Sequence, residues 1–460
     1  MKHMAKYSLP EQAGVCLILF VAAVASAQTV TSLVSFDGSN GQQPYGPLVQ
    51  APNGDFYGVT YAGGPSGAGT IFKTTSTGTL TTLYNFTGGG EGGTPATGLL
   101  LATDENLYGT TYYGGANGKG TVFKISPSGT LTTLHSFTGD DGANPQTTLV
   151  QGAGEVFYGM TLYGGANGDG ALFEITSSGT LTLMHSFAGT DGGLPFGLTL
   201  ASGGLLYGTT LSGGVYGYGT VFVANTGGSL ATLYSFTGQI DGGLPWIPLL
   251  EVSEGIFYGS TLMGTGASSN GTLFRITQNG TLNTLYTFTG GADGEYPEEL
   301  ILGTDGNLYG TAQLAGNPAP GTIFKMTTSG TFTVLYGFSQ SDPSGNEPWG
   351  GLLQGTDGNF YGTNIFGGSG NSGTIYKMSA GLSPFVKTLT AAGKVGATVK
   401  ILGTNLTGAT RVTFNGTPAQ FTVMSATEIA ATVPLGATTG KVRVTTPGGT
   451  LVSAEKFRIR

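Results

Sequence analysis

Short apolar runs separated by glycine-rich turns recur along most of the chain. Residues 98–137 read GLLLATDENLYGTTYYGGANGKGTVFKISPSGTLTTLHSF, and the turn residues divide them into four runs of strand length. In the third run, Thr121, Phe123 and Ile125 fall on one face, with the period of two that a pleated strand shows. Because most runs carry apolar residues on both faces, we predict sheets that are packed between two neighbours.

A Tyr-Gly pair marks each copy, and the pairs stand about 51 residues apart, a spacing typical of propeller blades. The fourth run of the unit also occurs alone at residues 30–36, and the last copy, residues 351–379, lacks it. We therefore predict an all-β, closed seven-bladed β-propeller over residues 28–382, with four strands per blade and the N-terminal strand completing the last blade. The pairs begin at Tyr57, Tyr108, Tyr158, Tyr207, Tyr258, Tyr309 and Tyr361.

The repeated unit resembles the GloVer tandem repeat family of exported bacterial proteins. The resemblance is carried by DGNLYGTA at residues 305–312, DGNFYGTN at 357–364 and GGANGKGTVFKI at 114–125, and it covers nearly all of residues 29–380. It implies a repeat type and an exported protein, but no chemistry.

The repeat stops near Gly381, and residues 383–460 form β-branched runs separated by Gly, Pro and Asn turns. This part resembles an IPT/TIG domain, through ILGTNL at 401–406, VTFNG at 412–416 and the pair Val433-Pro434. The resemblance implies an immunoglobulin-like β-sandwich that serves as a binding or spacer module.

Residues 1–27 have the features of a signal peptide: a basic start, a short apolar run at 13–24 and Ala-Ser-Ala before Gln28. Cleavage before Gln28 would leave a secreted or envelope-associated protein. The single cysteine, Cys16, lies in this segment, so burial rather than disulfides must hold the exported chain together. We expect no membrane span, since no run approaches about 18 apolar residues, and we expect a monomer.

Charge divides the two domains, although only 9% of all residues are charged. Residues 28–382 carry 6 Lys and Arg against 22 Asp and Glu, and residues 383–460 carry 9 against 2. An acidic propeller repels nucleic acid, so nucleic acid is not an expected partner. The basic domain would contact its own propeller or an anionic polymer, or would only aid solubility.

The loops that link successive blades repeat an acidic turn. A ring of carboxylates on one rim is a candidate Ca²⁺ site, but Ca²⁺ takes six to eight oxygens and each turn offers one carboxylate. The simpler interpretation is that each carboxylate bonds its own turn, and that no cofactor is needed. The carboxylates belong to Glu91, Asp141, Asp191, Asp241 and Asp293.

One position varies from blade to blade, directly after the proline of the same loop. It holds Ala96, Gln146 and Glu298 in three blades and an aromatic residue in the other four. Aromatic faces around one mouth would stack on sugar rings, whereas packing between blades is the competing explanation. The aromatic residues are Tyr45, Phe196, Trp246 and Trp349.

Little favours catalysis. Beyond the signal segment there are two histidines, His135 and His185, at a position where other blades have Tyr, which favours packing over a metal or a general base. The adjacent pair Glu298 and Glu299 is expected in an exposed turn. We predict a non-catalytic binding or scaffold protein for an extracellular polysaccharide or surface protein. The alternatives are a polysaccharide-degrading glycosidase or lyase on the rim, with Asp191 or Asp241, and a structural spacer.

Overall fold

The structure is a computed structural model that describes residues 28–264, 270–314 and 320–460. The predicted signal peptide, residues 1–27, lies outside the described residues. Every regular element in the described part is a β-strand. Within those residues no helix is long and apolar enough to cross a membrane.

The described residues between 29 and 379 form seven antiparallel sheets, numbered here by the order of their complete repeats. β1 (Thr29–Ser35) joins the last of them. Sheet 1 contains β2 (Gln42–Gln50), β3 (Phe56–Ala62), β4 (Thr70–Thr74) and β5 (Leu80–Asn85); sheet 2 β6 (Leu100–Leu101), β7 (Leu107–Thr111), β8 (Thr121–Ile125) and β9 (Leu131–Ser136); sheet 3 β10 (Ala143–Pro145), β11 (Val150–Gln151), β12 (Val156–Tyr163), β13 (Ala171–Thr176) and β14 (Leu181–Ser186); sheet 4 β15 (Gly193–Leu200), β16 (Leu206–Ser212), β17 (Thr220–Ala224) and β18 (Leu230–Ser235); sheet 5 β19 (Leu250–Ser253), β20 (Ile256–Thr261), β21 (Thr272–Thr277) and β22 (Leu282–Thr287); sheet 6 β23 (Glu295–Pro297), β24 (Ile301–Leu302), β25 (Leu308–Leu314), β26 (Thr322–Met326) and β27 (Phe332–Gly337); and sheet 7 β28 (Leu353–Gln354), β29 (Phe360–Asn364), β30 (Thr374–Ser379) and β1.

The N-terminal strand completes sheet 7, as the sequence predicts. β1 pairs antiparallel with β30, with Thr29 opposite Ser379 and Ser35 opposite Thr374. Sheet 7 then packs on sheet 1 through a core that includes Phe36, Phe72 and Tyr361. The ring is therefore closed by contacts of the same kind as those between successive sheets.

Both residues of each Tyr-Gly pair contribute to the packing of the sheets. In four of the seven pairs the Tyr ring contacts a Phe of the neighbouring sheet, as Tyr108 does with Phe157 at 4.1 Å between centroids. The Gly makes room for the Phe of its own sheet: a Cβ on Gly109 would lie 2.6 Å from Cζ of Phe123. The motif therefore encodes the packing within a sheet and between sheets.

The innermost strands are shorter than the sequence predicts. Only Leu100–Leu101 of the run GLLLAT is strand in sheet 2. In sheets 1 and 4 the ladder continues past the loop proline but shifts register beyond it, between Pro195 and Leu198 in sheet 4. The residues that leave the ladder are those that face the centre of the ring.

Residues 387–459 form two further sheets around a separate apolar core. One has the order β31-β33-β37-β36 and the other β32-β39-β38-β34-β35. The strands are β31 (Lys387–Thr388), β32 (Ala392–Gly393), β33 (Thr398–Leu402), β34 (Arg411–Phe414), β35 (Thr417–Pro418), β36 (Phe421–Val423), β37 (Glu428–Thr432), β38 (Gly440–Thr446) and β39 (Gly449–Ile459).

Candidate functional site

The loops that link successive sheets meet the loops between second and third strands, and together they form what we call the loop face. In sheet 2, Gly93 from the linking loop donates a backbone hydrogen bond to Tyr113 at 2.9 Å. Sheet 5 repeats the contact between Gly243 and Met263. The sequence-predicted site residues therefore belong to one face and to the channel below it.

The residue before each loop proline is not glycine, yet it has a left-handed backbone in all seven repeats, with φ between 53° and 57°. A residue before proline is disfavoured in helical conformations, and a non-glycine residue in this region costs about 1 kcal/mol or more. A hydrogen bond to the preceding repeat holds it, as Leu244 N donates to Tyr218 O at 2.8 Å. These residues are Gln43, Thr94, Asn144, Leu194, Leu244, Tyr296 and Glu347.

This backbone turn directs the residue after each proline into the centre of the ring. All seven of these residues line one cavity of about 70 Å³, which we call the inner chamber. The four predicted aromatic residues come together there as a continuous row: ring centroids are 5.5 Å apart for Tyr45–Trp349, 6.3 Å for Trp349–Trp246 and 5.9 Å for Trp246–Phe196. The other three lining positions are Ala96, Gln146 and Glu298.

These aromatic side chains lie in the channel, and they are not equally accessible. Trp246 is only 9% exposed, and its Nε1 donates a hydrogen bond to Pro297 O at 3.2 Å. Tyr45, Phe196 and Trp349 are half-buried. Trp246 therefore joins repeats 5 and 6, while the other three rings keep a surface that faces the cavity.

A wider cavity of about 350 Å³ lies next to the inner chamber, and we call it the vestibule. Both cavities are lined by Tyr45, Gln146 and Trp349. The remaining vestibule residues are Gln43, on the first strand of sheet 1, and four residues at or just after the ends of second strands, Tyr61, Tyr112, Tyr113 and Ile365. The described lining is thus five aromatic side chains, two amides and one isoleucine, with no charged side chain among them.

Sequence reasoning missed the vestibule tyrosines Tyr61, Tyr112 and Tyr113. They stand at or beside the end of the second strand, one or two positions before the Gly-Gly turn in TYAGG and TYYGG. Tyr113 is 51% exposed. The residue at this position differs between repeats, and this variation is the feature of the sequence that could have identified the loop face.

The expectation for the Glu298–Glu299 pair was wrong, because the pair does not lie in an exposed turn. Both residues line the inner chamber. Burial raises the pKa of Glu298 well above its usual range, although a hydrogen bond from Gln313 opposes this and the charge of Glu299 adds to it. Burial raises the pKa of Glu299 to about 7.

The acidic turns lie beside the outermost strands, away from the chamber. Asp141 accepts hydrogen bonds from Thr138 N and Oγ1, both at 2.8 Å. Asp191, Asp241, Asp293 and Glu91 likewise accept bonds within their own turns. No group of three or more His, Cys, Asp or Glu side chains that could hold a metal ion occurs among the described residues. The geometry is that of self-bonded turns, and Ca²⁺ binding stays a prediction.

The same carboxylates explain why His replaces Tyr at one repeat position. His135 Nε2 lies 2.8 Å from Asp141 Oδ2, and Tyr234 donates its hydroxyl to Asp241 at 3.0 Å. Burial acts to raise the pKa of Asp141, but the hydrogen bonds from Thr138 and His135 bring it below its usual value. The two histidines therefore tie the fourth strand to the loop and do not face the channel.

The C-terminal domain contacts the opposite face, where the first and second strands of each sheet are joined. Lys400 pairs with Glu105 of sheet 2 and, at 2.9 Å, with Glu428 of its own domain. Thr427 donates to Pro52 O at 2.7 Å, and Arg458 donates to Ser202 O. The domain therefore reaches across the ring from sheet 1 to sheet 4 and leaves the loop face free.

The fold and site define a propeller-like repeat protein with an appended β-sandwich. The chain belongs to the Gloeobacter/Verrucomicrobia repeat family, whose model matches residues 18–222 and 194–421. The IPT/TIG domain model matches residues 384–459. Both resemblances seen in the sequence are thus confirmed.

Solved structures show the same fold at low identity. A streptogramin B lyase is 16% identical with a TM-score of 0.53, covering 76% of this chain and 97% of its own. The extracellular domain of a hybrid two-component system from B. thetaiotaomicron is 11% identical with a TM-score of 0.52, covering 94% of this chain and 57% of its own. No curated protein matches the chain. At these identities the likeness concerns the fold alone.

Proposed function

We propose that the seven sheets are the blades of a closed propeller, and that the protein is a secreted or envelope-associated, non-catalytic binding protein. The observation that carries the proposal is the vestibule of about 350 Å³, lined by aromatic side chains and by the amides of Gln43 and Gln146. Aromatic faces stack on the apolar faces of sugar rings, and amides bond sugar hydroxyls. The proposed ligand class is an uncharged stretch of polysaccharide.

A surface protein is the second ligand class for the same face. Tyr216 and Val215, on the loop of sheet 4, are 58% and 78% exposed, and Ile240 on the next linking loop is 80% exposed. Exposed apolar side chains on neighbouring loops of one face are typical of protein interaction sites. A protein ligand would use these loop tips, whereas a glycan would use the vestibule.

A glycan array with residues 28–460 separates these cases. Tyr113→Ala removes an exposed vestibule ring, and Tyr163→Ala removes the equivalent ring of sheet 3, which is 44% exposed and does not line the vestibule. We expect selective binding that Tyr113→Ala weakens at least tenfold and Tyr163→Ala leaves unchanged. A blank array, or equal loss in both variants, would contradict a glycan site in the vestibule.

The same array, run with Ca²⁺ and with a chelator, tests the acidic turns. Because each carboxylate is bonded within its own turn, we expect binding to be the same in both conditions. Degradation of a bound polysaccharide during incubation would instead favour the enzymatic alternative. In that case the Glu298–Glu299 pair, rather than Asp191 or Asp241, would be the candidate acid and base, because that pair is among the described residues that line the chamber and the two aspartates are not.

A further inference from the structure

The inner chamber combines two features that point to a positively charged ligand. Its wall holds a continuous row of four aromatic rings, from Tyr45 through Trp349 and Trp246 to Phe196. It also holds Glu298 and Glu299, and no Lys, Arg or His side chain is among its described lining residues.

The two carboxylates differ in how they are satisfied. Glu298 accepts a hydrogen bond from Nε2 of Gln313 at 2.5 Å. Glu299 lies against Gly351 of the next sheet, where its Oε2 would be 3.0 Å from a Cβ on that glycine, and it has no hydrogen bond or ion pair within the described part of the chain. Glu299 is half-buried and faces the chamber, and a carboxylate that is only partly solvated and has no protein partner favours an incoming cation.

We infer that the inner chamber binds a small organic ammonium group, with the aromatic rings around its alkyl substituents and Glu299 as its counter-ion. Aromatic rings attract a cation within about 6 Å of their centroids, and the attraction grows when the cation is desolvated. A bare metal ion is a poorer fit, because it needs several converging oxygen ligands. The surplus of acidic residues over residues 28–382 would raise the local concentration of cations.

This inference does not depend on the proposed glycan site, because it rests on the chamber below the vestibule. It has a pH signature as well. A bound cation favours the ionised form of Glu299, whose pKa burial raises to about 7. Binding should therefore strengthen as pH rises from 6 to 8.

Isothermal titration calorimetry of residues 28–460 with choline tests the inference, with 3,3-dimethylbutan-1-ol as the neutral isostere. Butylammonium is a third probe, which distinguishes a quaternary ammonium group from a lysine-like primary one. We expect saturable binding of at least one cation, at least tenfold tighter than that of the neutral alcohol and stronger at pH 8 than at pH 6.

Glu299→Gln should weaken this binding at least tenfold while keeping the size of the side chain. Glu254→Gln removes the same charge from an exposed residue outside the chamber and should change it less than twofold. If Glu299→Gln fails to fold, Glu298→Gln serves as the second variant. Absence of saturable binding, equal affinity for the alcohol, or binding insensitive to both chamber variants would overturn the inference, whatever the glycan array shows.

Discussion

The backbone amide of Gln43 donates a hydrogen bond to the carbonyl oxygen of Ser372, 2.8 Å away. The equivalent bond joins Asn144 to Lys119 of the preceding repeat at 2.7 Å. Gln43 and Ser372 are 329 positions apart in sequence, yet they are joined by the same hydrogen bond that joins successive repeats. The ring closes without a special junction, and the first strand carries part of its stability.

We therefore expect the strand that closes the ring to be as firmly packed as an internal one. Phe36 and Phe137 are both fully buried at the end of a fourth strand. Each makes an edge-to-face contact with a Phe on the third strand of the next sheet. Phe36→Ala and Phe137→Ala should each lower the free energy of unfolding by about 3–5 kcal/mol. Urea unfolding measures both, and a cost below about 1 kcal/mol for Phe36→Ala alone would mean that the first strand frays from sheet 7.

The glycine of the Tyr-Gly pair should be intolerant of a single added methyl group. A Cβ on Gly109 would come within 2.6 Å of Phe123 and 3.0 Å of Leu99, both buried. Gly109→Ala should therefore cost about 2 kcal/mol through overpacking. Gly203→Ala is the matched control, because nothing lies within 4 Å of its Cβ and its turn is exposed. Thermal unfolding of the two variants should differ by several degrees.

Tyr376 is a position where a substitution should stabilise the protein. It stands where the other repeats have Phe, and its buried hydroxyl has no hydrogen-bond partner among the described residues. An unsatisfied buried polar group costs about 1–3 kcal/mol. Tyr376→Phe should therefore raise the urea midpoint.

Tyr361→Phe is the matched control, and it should change the stability in the opposite direction. The Tyr361 hydroxyl donates a hydrogen bond to Asp357 at 2.8 Å, so its removal should destabilise by about 1 kcal/mol. If Tyr376→Phe lowers the midpoint as Tyr361→Phe does, the Tyr376 hydroxyl makes a bond that its packing conceals.

The sequence was informative wherever a local pattern repeats. The Tyr-Gly period predicts the length of the repeated unit, and the lone first strand predicts that it completes the last sheet. Both features depend on pairing and burial that each repeat encodes by itself. The chamber was harder to predict. The left-handed turn before each proline, at Leu244 for example, is what moves residues of the first strand off the ladder, and no residue type at that position signals it.

The same limit explains the error at Glu298 and Glu299. Two adjacent carboxylates normally indicate a solvated turn, and only the convergence of seven repeats on one axis buries them. The aromatic positions were found because they vary against a constant background. Their variation could not show that Trp246 is fixed by Pro297 while Trp349 faces both cavities.

Stability should depend on pH in two opposite ways. Hydrogen bonds lower the pKa values of Asp141, Asp241 and Asp293 against the effect of burial. A carboxyl with a lowered folded pKa stabilises the protein above its unfolded pKa, and this contribution is lost as pH falls through the folded value. Stability should therefore fall below about pH 4.

The chamber glutamates act in the other direction at higher pH. Burial raises the pKa of Glu298 well above its usual range and that of Glu299 to about 7, so the folded state holds protons that the unfolded state has released. Stability then decreases as pH rises from the unfolded pKa, about 4.5, through about 7, and the maximum should lie near pH 5. Urea midpoints between pH 5 and pH 8 should fall for the unmodified protein and stay nearly level for a Glu298→Gln, Glu299→Gln double variant. Glu254→Gln should keep the original slope, since Glu254 is exposed. An unchanged dependence of the urea midpoint on pH in the double variant would show that both chamber carboxylates are ionised at neutral pH. Water or a cation that already fills the inner chamber would have this effect.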